Sequence, residues 1–249
     1  MSKDYGLSFI TNEDIFKHVK ETIGKYRFTI NLDEFNKNLI DPIKLTFDSK
    51  IYGKSIEEII ESESLRQIDK SNTNHIGYFH QNIFKYFNGW EVPTQGFDAI
   101  SDELKIFVEM KNKHNTMNSA SSQKTYIKMQ NKILRDDLAT CYLVEVIAKN
   151  SQDIPWKISL DGEQVSNKNI RRISMDKFYE LATGEKDSFK KLCETLPTVI
   201  DDVIAENKMG QITNSVFNEL EEISPNMLKS IYLLSFQKYE GFDSLEVKQ

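Results

Sequence analysis

The sequence predicts an α/β protein in which a mixed central sheet is flanked by helices, with helical additions at the N- and C-terminal ends. Three observations lead there. Residues 104–111, LKIFVEMK, alternate as a strand does, with Ile106, Val108 and Met110 facing one way and Phe107, Glu109 and Lys111 the other. Residues 139–148, ATCYLVEVIA, form a near-continuous apolar run rich in β-branched and aromatic side chains, the mark of a buried central strand. Between them, residues 119–137 have helical spacing, and a strand, helix, strand order requires a crossover and parallel neighbours.

Taken in order, the chain begins with helices. Residues 12–25 place Ile15, Phe16, Val19 and Ile23 at helical spacing behind a Thr11 or Asn12 cap. Residues 32–40 continue as a second helix, stopped by Asp41-Pro42, and residues 55–67 form a third that is strongly acidic. His18 in this region reads as a surface residue. Residues 73–87 pack Ile76, Phe79, Ile83, Phe84 and Phe87 along one helical face before Asn88-Gly89 ends it.

The stretch 96–116, GFDAISDELKIFVEMKNKHNT, carries the chemistry. Asp98 ends one short extended segment, a polar turn follows at Ser101-Asp102-Glu103, and the next strand brings Glu109 and Lys111 onto one face. Paired as a hairpin, the segments set Asp98 across from Glu109, so that two carboxylates and an ammonium reach one point. Such a set suits Mg²⁺ beside a phosphate: a hard cation on one or two carboxylates polarises the phosphoryl oxygens and sharpens a bound water. The lysine offers positive charge to the transition state or helps deprotonate the water. A bland reading exists, in which the three side chains are only an ion-pair cluster on a strand. Against it, Glu109 lies in an apolar run where an unpaired charge is costly.

Asp98 followed by Glu109-x-Lys111 resembles the signature of the PD-(D/E)xK nuclease superfamily, with Phe97 where that signature has proline. Residues 74–84 (NHIGYFHQNIF), 90–100 (WEVPTQGFDAI) and 108–118 (VEMKNKHNTMN) together resemble type II restriction endonucleases of the SinI-like group, which cut GGNCC or GGWCC sites. The resemblance implies a restriction-endonuclease-like core and Mg²⁺-dependent hydrolysis of double-stranded DNA at a short palindromic site, in host defence. Asp98 and Glu109 would hold the metal and Lys111 would assist the water or the transition state. A helix before the hairpin often adds a polar residue in this superfamily; His75, His80 and Gln81 are the candidates, and Gln81 is favoured. A DNA methyltransferase encoded nearby is the expected functional partner. A palindrome presents equivalent scissile phosphates on its strands, so a homodimer is expected.

Beyond the hairpin, helix 119–137 places Tyr126, Ile127, Met129, Ile133 and Leu134 mostly on one side and Lys124, Lys128 and Lys132 four apart on another. A lysine stripe is ordinarily a solvated face, yet its place after the hairpin suits a phosphate backbone. Lys113, Asn115, Lys124 and Lys128 are the candidate DNA contacts, and Thr116, Asn118 and Gln123 could reach phosphates or base edges. Residues 156–160 and 170–174 read as short strands around the turn Asp161-Gly162, with Arg171-Arg172 either a DNA contact or an exposed strand pair. Residues 175–182, 188–206 and 225–238 read as amphipathic helices.

At 249 residues the chain suffices for a single nuclease domain, divided as a helical lobe (1–70), a catalytic core (71–150), and strands with C-terminal helices (151–249). The net charge of −6 argues at first against a nucleic-acid partner. Distribution matters more, however, and between residues 105 and 132 Lys105, Lys111, Lys113, Lys124, Lys128 and Lys132 face Glu109 alone among acids. No apolar run approaches the ~18 residues of a membrane span and the start MSKDYGLSF lacks signal-peptide order, so the expected place is the cytoplasm. Cys141 and Cys193 match no metal or redox spacing and read as buried thiols. Glycine-rich phosphate loops, GxSxG and HExxH are absent. Two alternatives stay open: a repair or junction nuclease of the same fold without sequence specificity, and a non-catalytic DNA-binding or scaffolding protein. Discrete plasmid fragments, random or structure-selective nicking, and binding without cutting tell the three apart.

Overall fold

The computed structural model describes residues 3–114, 116–206, 212–236, 238–240 and 242–247. In chain order the elements are α1 Asn12–Ile23, β1 Thr29–Ile30, α2 Leu32–Asn36, α3 Pro42–Tyr52, α4 Ile56–Asn82, β2 Ala99–Ser101, β3 Ile106–Lys113, α5 Ser119–Arg135 and β4 Thr140–Ile147. They continue with β5 Asp153–Leu160, β6 Glu163–Ser174, α6 Met175–Thr183, α7 Ser188–Glu206, β7 Thr213–Asn214, α8 Val216–Ile223 and α9 Met227–Phe236. The chain divides into two compact units, Met1–Gly24 with Ile76–Lys208, and Lys25–His75 with Met209–Gln249. No described helix is long and apolar enough to cross a membrane.

The first unit is the α/β one. Its sheet runs β2-β3-β4-β6-β5, antiparallel at both ends and parallel between β3, β4 and β6. The mixed sheet expected from sequence is therefore present, and α5 makes the crossover that parallel β3 and β4 require. Alternate side chains feed two cores. Val108, Tyr142, Val144 and Ile173 join Ile15, Val19, Phe84, Phe178, Tyr179 and Val199 on one face. Phe107, Cys141, Leu143, Trp156 and Ile170 pack with Tyr126 and Met129 of α5 on the other. The β5–β6 hairpin turns at Asp161 and Gly162, whose φ values of 51° and 89° are the left-handed pair that a tight hairpin turn needs.

The second unit is mainly helical, with a parallel β1–β7 pair. Its core gathers Ile30, Phe35, Leu45, Ile60, Val216, Leu220 and Ile231.

Several local expectations are corrected. Pro42 starts a helix rather than ending one: Asp41 accepts hydrogen bonds from the Ile43 and Lys44 N–H groups, and Pro42 occupies the first turn, where no N–H is needed. The preceding helix stops at Asn36. Residues 55–67 and 73–87 are not separate helices; the intervening Ile68–Asn72 stretch holds no breaker, and α4 runs through it. Helix α8 went unread, although Val216, Phe217, Leu220 and Ile223 stand at helical spacing among its acids. His18 is buried, stacks on Phe79 at 4.6 Å and has Nε2 2.9 Å from the Phe79 carbonyl. Ile127 and Leu134 of α5 are exposed, so the apolar side of that helix is narrower than its composition suggests. Cys141 is buried, its thiol pushed up to about 12 by loss of solvent, whereas Cys193 is exposed.

Candidate active site

The hairpin forms as its alternation requires. The β2–β3 register opens with Ala99 against Val108, and Asp98, just before it, lies close enough to Glu109 for its charge to act on that carboxyl. The Asp98 N–H donates to the Val108 carbonyl at 2.8 Å, and its Oδ2 accepts from the Met110 N–H at 2.7 Å. One oxygen of Asp98 is thus tied to the backbone of β3, which aims the carboxylate toward Glu109's strand. On the outer side of β2, Glu91 bridges Ile100 through a pair of 2.9 Å backbone bonds. Gly96 has φ 94°, a conformation that a side chain resists, just before Phe97 turns into the core against Phe107.

Glu109 is 8% exposed. Burial pushes its carboxyl above the usual range; a hydrogen bond from Lys128 opposes that rise, and the charge of Asp98 adds to it. The Lys111 ammonium lies 3.9 Å from Glu109 Oε2. Lys128, from α5, donates to Glu109 Oε1 and, at 2.7 Å, to the Gly96 carbonyl, and sits 4.5 Å from the centroid of the Phe97 ring. Gln81, near the end of α4, is half-buried and donates through Nε2 to the Asp98 carbonyl at 3.1 Å. Asp98, Glu109, Lys111 and Gln81 are therefore brought together. So is Lys128, which the sequence placed on an outward stripe.

The remaining candidates fall elsewhere. Lys113 and Lys124 are exposed, and Asn115 lies outside the described residues. Thr116 donates to the Lys113 carbonyl at 3.0 Å, Asn118 caps α5 by accepting from the Ser121 N–H at 2.8 Å, and Gln123 donates to the Ser159 carbonyl at 3.0 Å. These three are occupied in holding the chain. Lys132 lies 3.9 Å from the Phe107 ring centroid and 3.8 Å from Asp136. His80 is half-buried with its ring against Phe79, a packing position. Arg171 pairs with Asp153 at 2.6 Å and Arg172 with Glu145 at 3.2 Å, so the arginine pair is neither simply exposed nor free.

Glu145 was missed. It lies in the apolar run of β4, beside Lys111 in register, and is 1% exposed. Both its oxygens are 2.9 Å from His114 Nδ1, and the Arg172 guanidinium that meets it rests 5.8 Å from the Trp156 ring centroid. The available signal was a lone acid within a buried strand, which demands a partner.

Among the described residues no group of three or more His, Cys, Asp or Glu side chains forms a metal cage. The arrangement is instead a pair of neighbouring carboxylates, a buried one and a backbone-tethered one, with two ammonium groups beside the buried one. Such a pair attracts cations, and the ammoniums suit an anionic substrate.

A model of the Eco47II restriction endonuclease family matches residues 7–205. The chain is 34% identical over 211 residues to the type II restriction enzyme Sau96I of Staphylococcus aureus, covering 80% of this chain and 81% of that protein. It is 31% identical over 220 residues to the type II restriction enzyme Eco47II of Escherichia coli, covering 82% of this chain and 90% of the relative.

Proposed function

The chain belongs to the Eco47II restriction endonuclease family and is a type II site-specific deoxyribonuclease, and from that premise we propose that the Asp98–Glu109–Lys111 hairpin is its active site. The observation that carries the reading is the nearness of two carboxylates, Asp98 anchored to the Met110 N–H and the buried Glu109, with the Lys111 ammonium 3.9 Å from Glu109. The proposed cofactor is Mg²⁺, held by Asp98 and Glu109. The donors fit: Mg²⁺ takes one or two carboxylates and fills its other positions with water and substrate phosphate, so three protein acids are not required. Asp98's charge helps hold Glu109's carboxyl above its usual range, a repulsion that a dication held by the pair would relieve. When bound, the metal supplies Lewis-acid polarisation of the phosphoryl group and a more acidic water.

The protein's own groups do the rest. Asp98 is fixed at both ends, its carboxylate by the Met110 N–H and its carbonyl by Gln81, so its position is set before substrate arrives. Lys111 offers charge to the phosphate as negative charge builds in the transition state. Gln81 acts as a positioning residue through the backbone of Asp98. Lys113 and Lys124, both exposed, serve as phosphate contacts, and Asn115, two residues after Lys113 in the sequence, is proposed beside them. We further assign a homodimer acting on a short palindrome of the GGNCC kind, host defence in the cytoplasm beside a cognate methyltransferase, and one working nuclease domain drawn from the whole chain.

The test is a plasmid digest with Mg²⁺ alongside thermal melting. Asp98→Asn and Glu109→Gln keep shape and lose charge; each should cut at least about 100-fold more slowly while melting normally and still binding DNA. Lys111→Ala should behave likewise. Folded variants that produce the same discrete fragments at the normal rate would remove the active site from this hairpin.

A further inference from the structure

We propose that Lys128 is the resident counter-cation of Glu109: its ammonium holds the place that a dication takes, and dication binding hands it over to the substrate phosphate. The inference rests on the hairpin being the active site, and goes beyond it by giving a role to a residue from another element.

Three partners converge on Lys128 Nζ: the carboxylate Oε1 of Glu109, the Gly96 carbonyl and the face of the Phe97 ring. An oxygen anion, an oxygen dipole and a ring quadrupole together make a cation site. Its neighbours on α5 do not share it. Lys124, one turn earlier, is exposed, and Lys132, one turn later, sits on Phe107. Lys111 approaches the other oxygen of Glu109 at 3.9 Å. Two ammoniums therefore contend for one buried carboxylate, while Asp98 has an oxygen committed to the Met110 N–H.

Charge counting shows why both are needed. Asp98 and Glu109 are balanced by Lys111 and Lys128, so the bare site is neutral. A dication alone would leave it strongly positive, and the phosphodiester, doubly anionic at its transition state, restores neutrality. Removing Lys128 breaks that balance at the step where charge is greatest. A dication approaching Glu109 must displace the ammonium from Oε1, because like charges repel at such range. The side chain of Lys128 keeps 37% exposure, so its head has a route toward an incoming backbone phosphate.

The experiment titrates Mn²⁺ into the DNA-free full-length protein by calorimetry and follows Mg²⁺-dependent plasmid cleavage by the same samples. Lys128→Met removes the competing charge and keeps the length, so Mn²⁺ should bind about tenfold more tightly while cleavage falls about 100-fold. Lys128→Arg keeps its charge and grips carboxylates with a fork, so Mn²⁺ affinity should move the opposite way; this variant carries the test if Lys128→Met melts too low to assay. Mn²⁺ affinity that ignores both substitutions, or normal cleavage by Lys128→Met, would overturn the role of Lys128. Glu109→Gln separates the layers. If that variant is silent and Lys128→Met cuts normally, only the lysine assignment fails; if it too cuts normally, the hairpin reading fails and takes this proposal with it.

Discussion

His80, half-buried, and Glu145, fully buried, show how differently an ionisable side chain withdrawn from water can be carried. His80 has its pKa pushed down to about 4, first by burial and then by the neighbouring His18, and its Nδ1 lacks a hydrogen-bond partner. The unfolded chain therefore takes up the proton first as acid is added, and stability is lost between about pH 6.5 and about pH 4, by about 3 kcal/mol at most. His80→Leu should lose less over that range, which denaturant midpoints at neutral and acid pH would register; equal losses would show that the imidazole is not responsible. Glu145 instead faces two partners, His114 Nδ1 at 2.9 Å and the Arg172 guanidinium in an ion pair at 3.2 Å. Glu145→Gln keeps its shape but strands an arginine that is itself partly exposed, and should cost about 2 to 3 kcal/mol in chemical denaturation. A loss within error would mean water satisfies the guanidinium. That Asp98, Glu109 and Lys111 come near one another was legible in the sequence, because alternation along β3 and a short hairpin bring them together. Lys128 and Glu145 were not, since their meaning depends on partners supplied by other elements.

On helix α5 the lysines at 124, 128 and 132 share a spacing but not an environment. Steps of four residues advance about 400°, so each lysine is rotated about 40° from the one before. That drift suffices to take Lys124 to solvent, Lys128 into the hairpin and Lys132 onto an aromatic face. The proposed phosphate-contact role accordingly falls to the exposed lysines. Lys113→Ala and Lys124→Ala should each weaken DNA binding at every sequence and lower the salt slope by about one, measured by fluorescence anisotropy across a salt series. Unchanged slopes would return both to ordinary solvated surface. The strong elements of the α/β unit were readable: the buried run of β4, the cap and spacing of α1, and the Asp161-Gly162 turn each contain their own instruction. Where reading failed, local signals were ambiguous. Pro42 both ends and begins helices, and the join within α4 has no marker of any kind; α8, by contrast, carries its own apolar face and was simply passed over.

For the molecule as a whole, a net charge of −6 coexists with a site whose surroundings are rich in lysine, so attraction to DNA is local and orientation matters. A palindromic site has its target phosphates on both strands, and the proposed site has one hairpin per chain. Sedimentation in the presence of cognate DNA should therefore find two chains per duplex; a strict monomer on DNA, cutting one strand at a time, would refute the symmetric arrangement. The margins of the sheet bear on a different matter. At one margin β2 is only three residues long and its outer side is bridged by Glu91; at the other, β5 carries Pro155 and a break in register between Pro155 and Lys157. Neither margin offers a long row of open N–H and C=O groups, so stray strands find little to pair with. The same features that frame the hairpin thus discourage fibril-like stacking, leaving chains at high concentration to meet through their side chains.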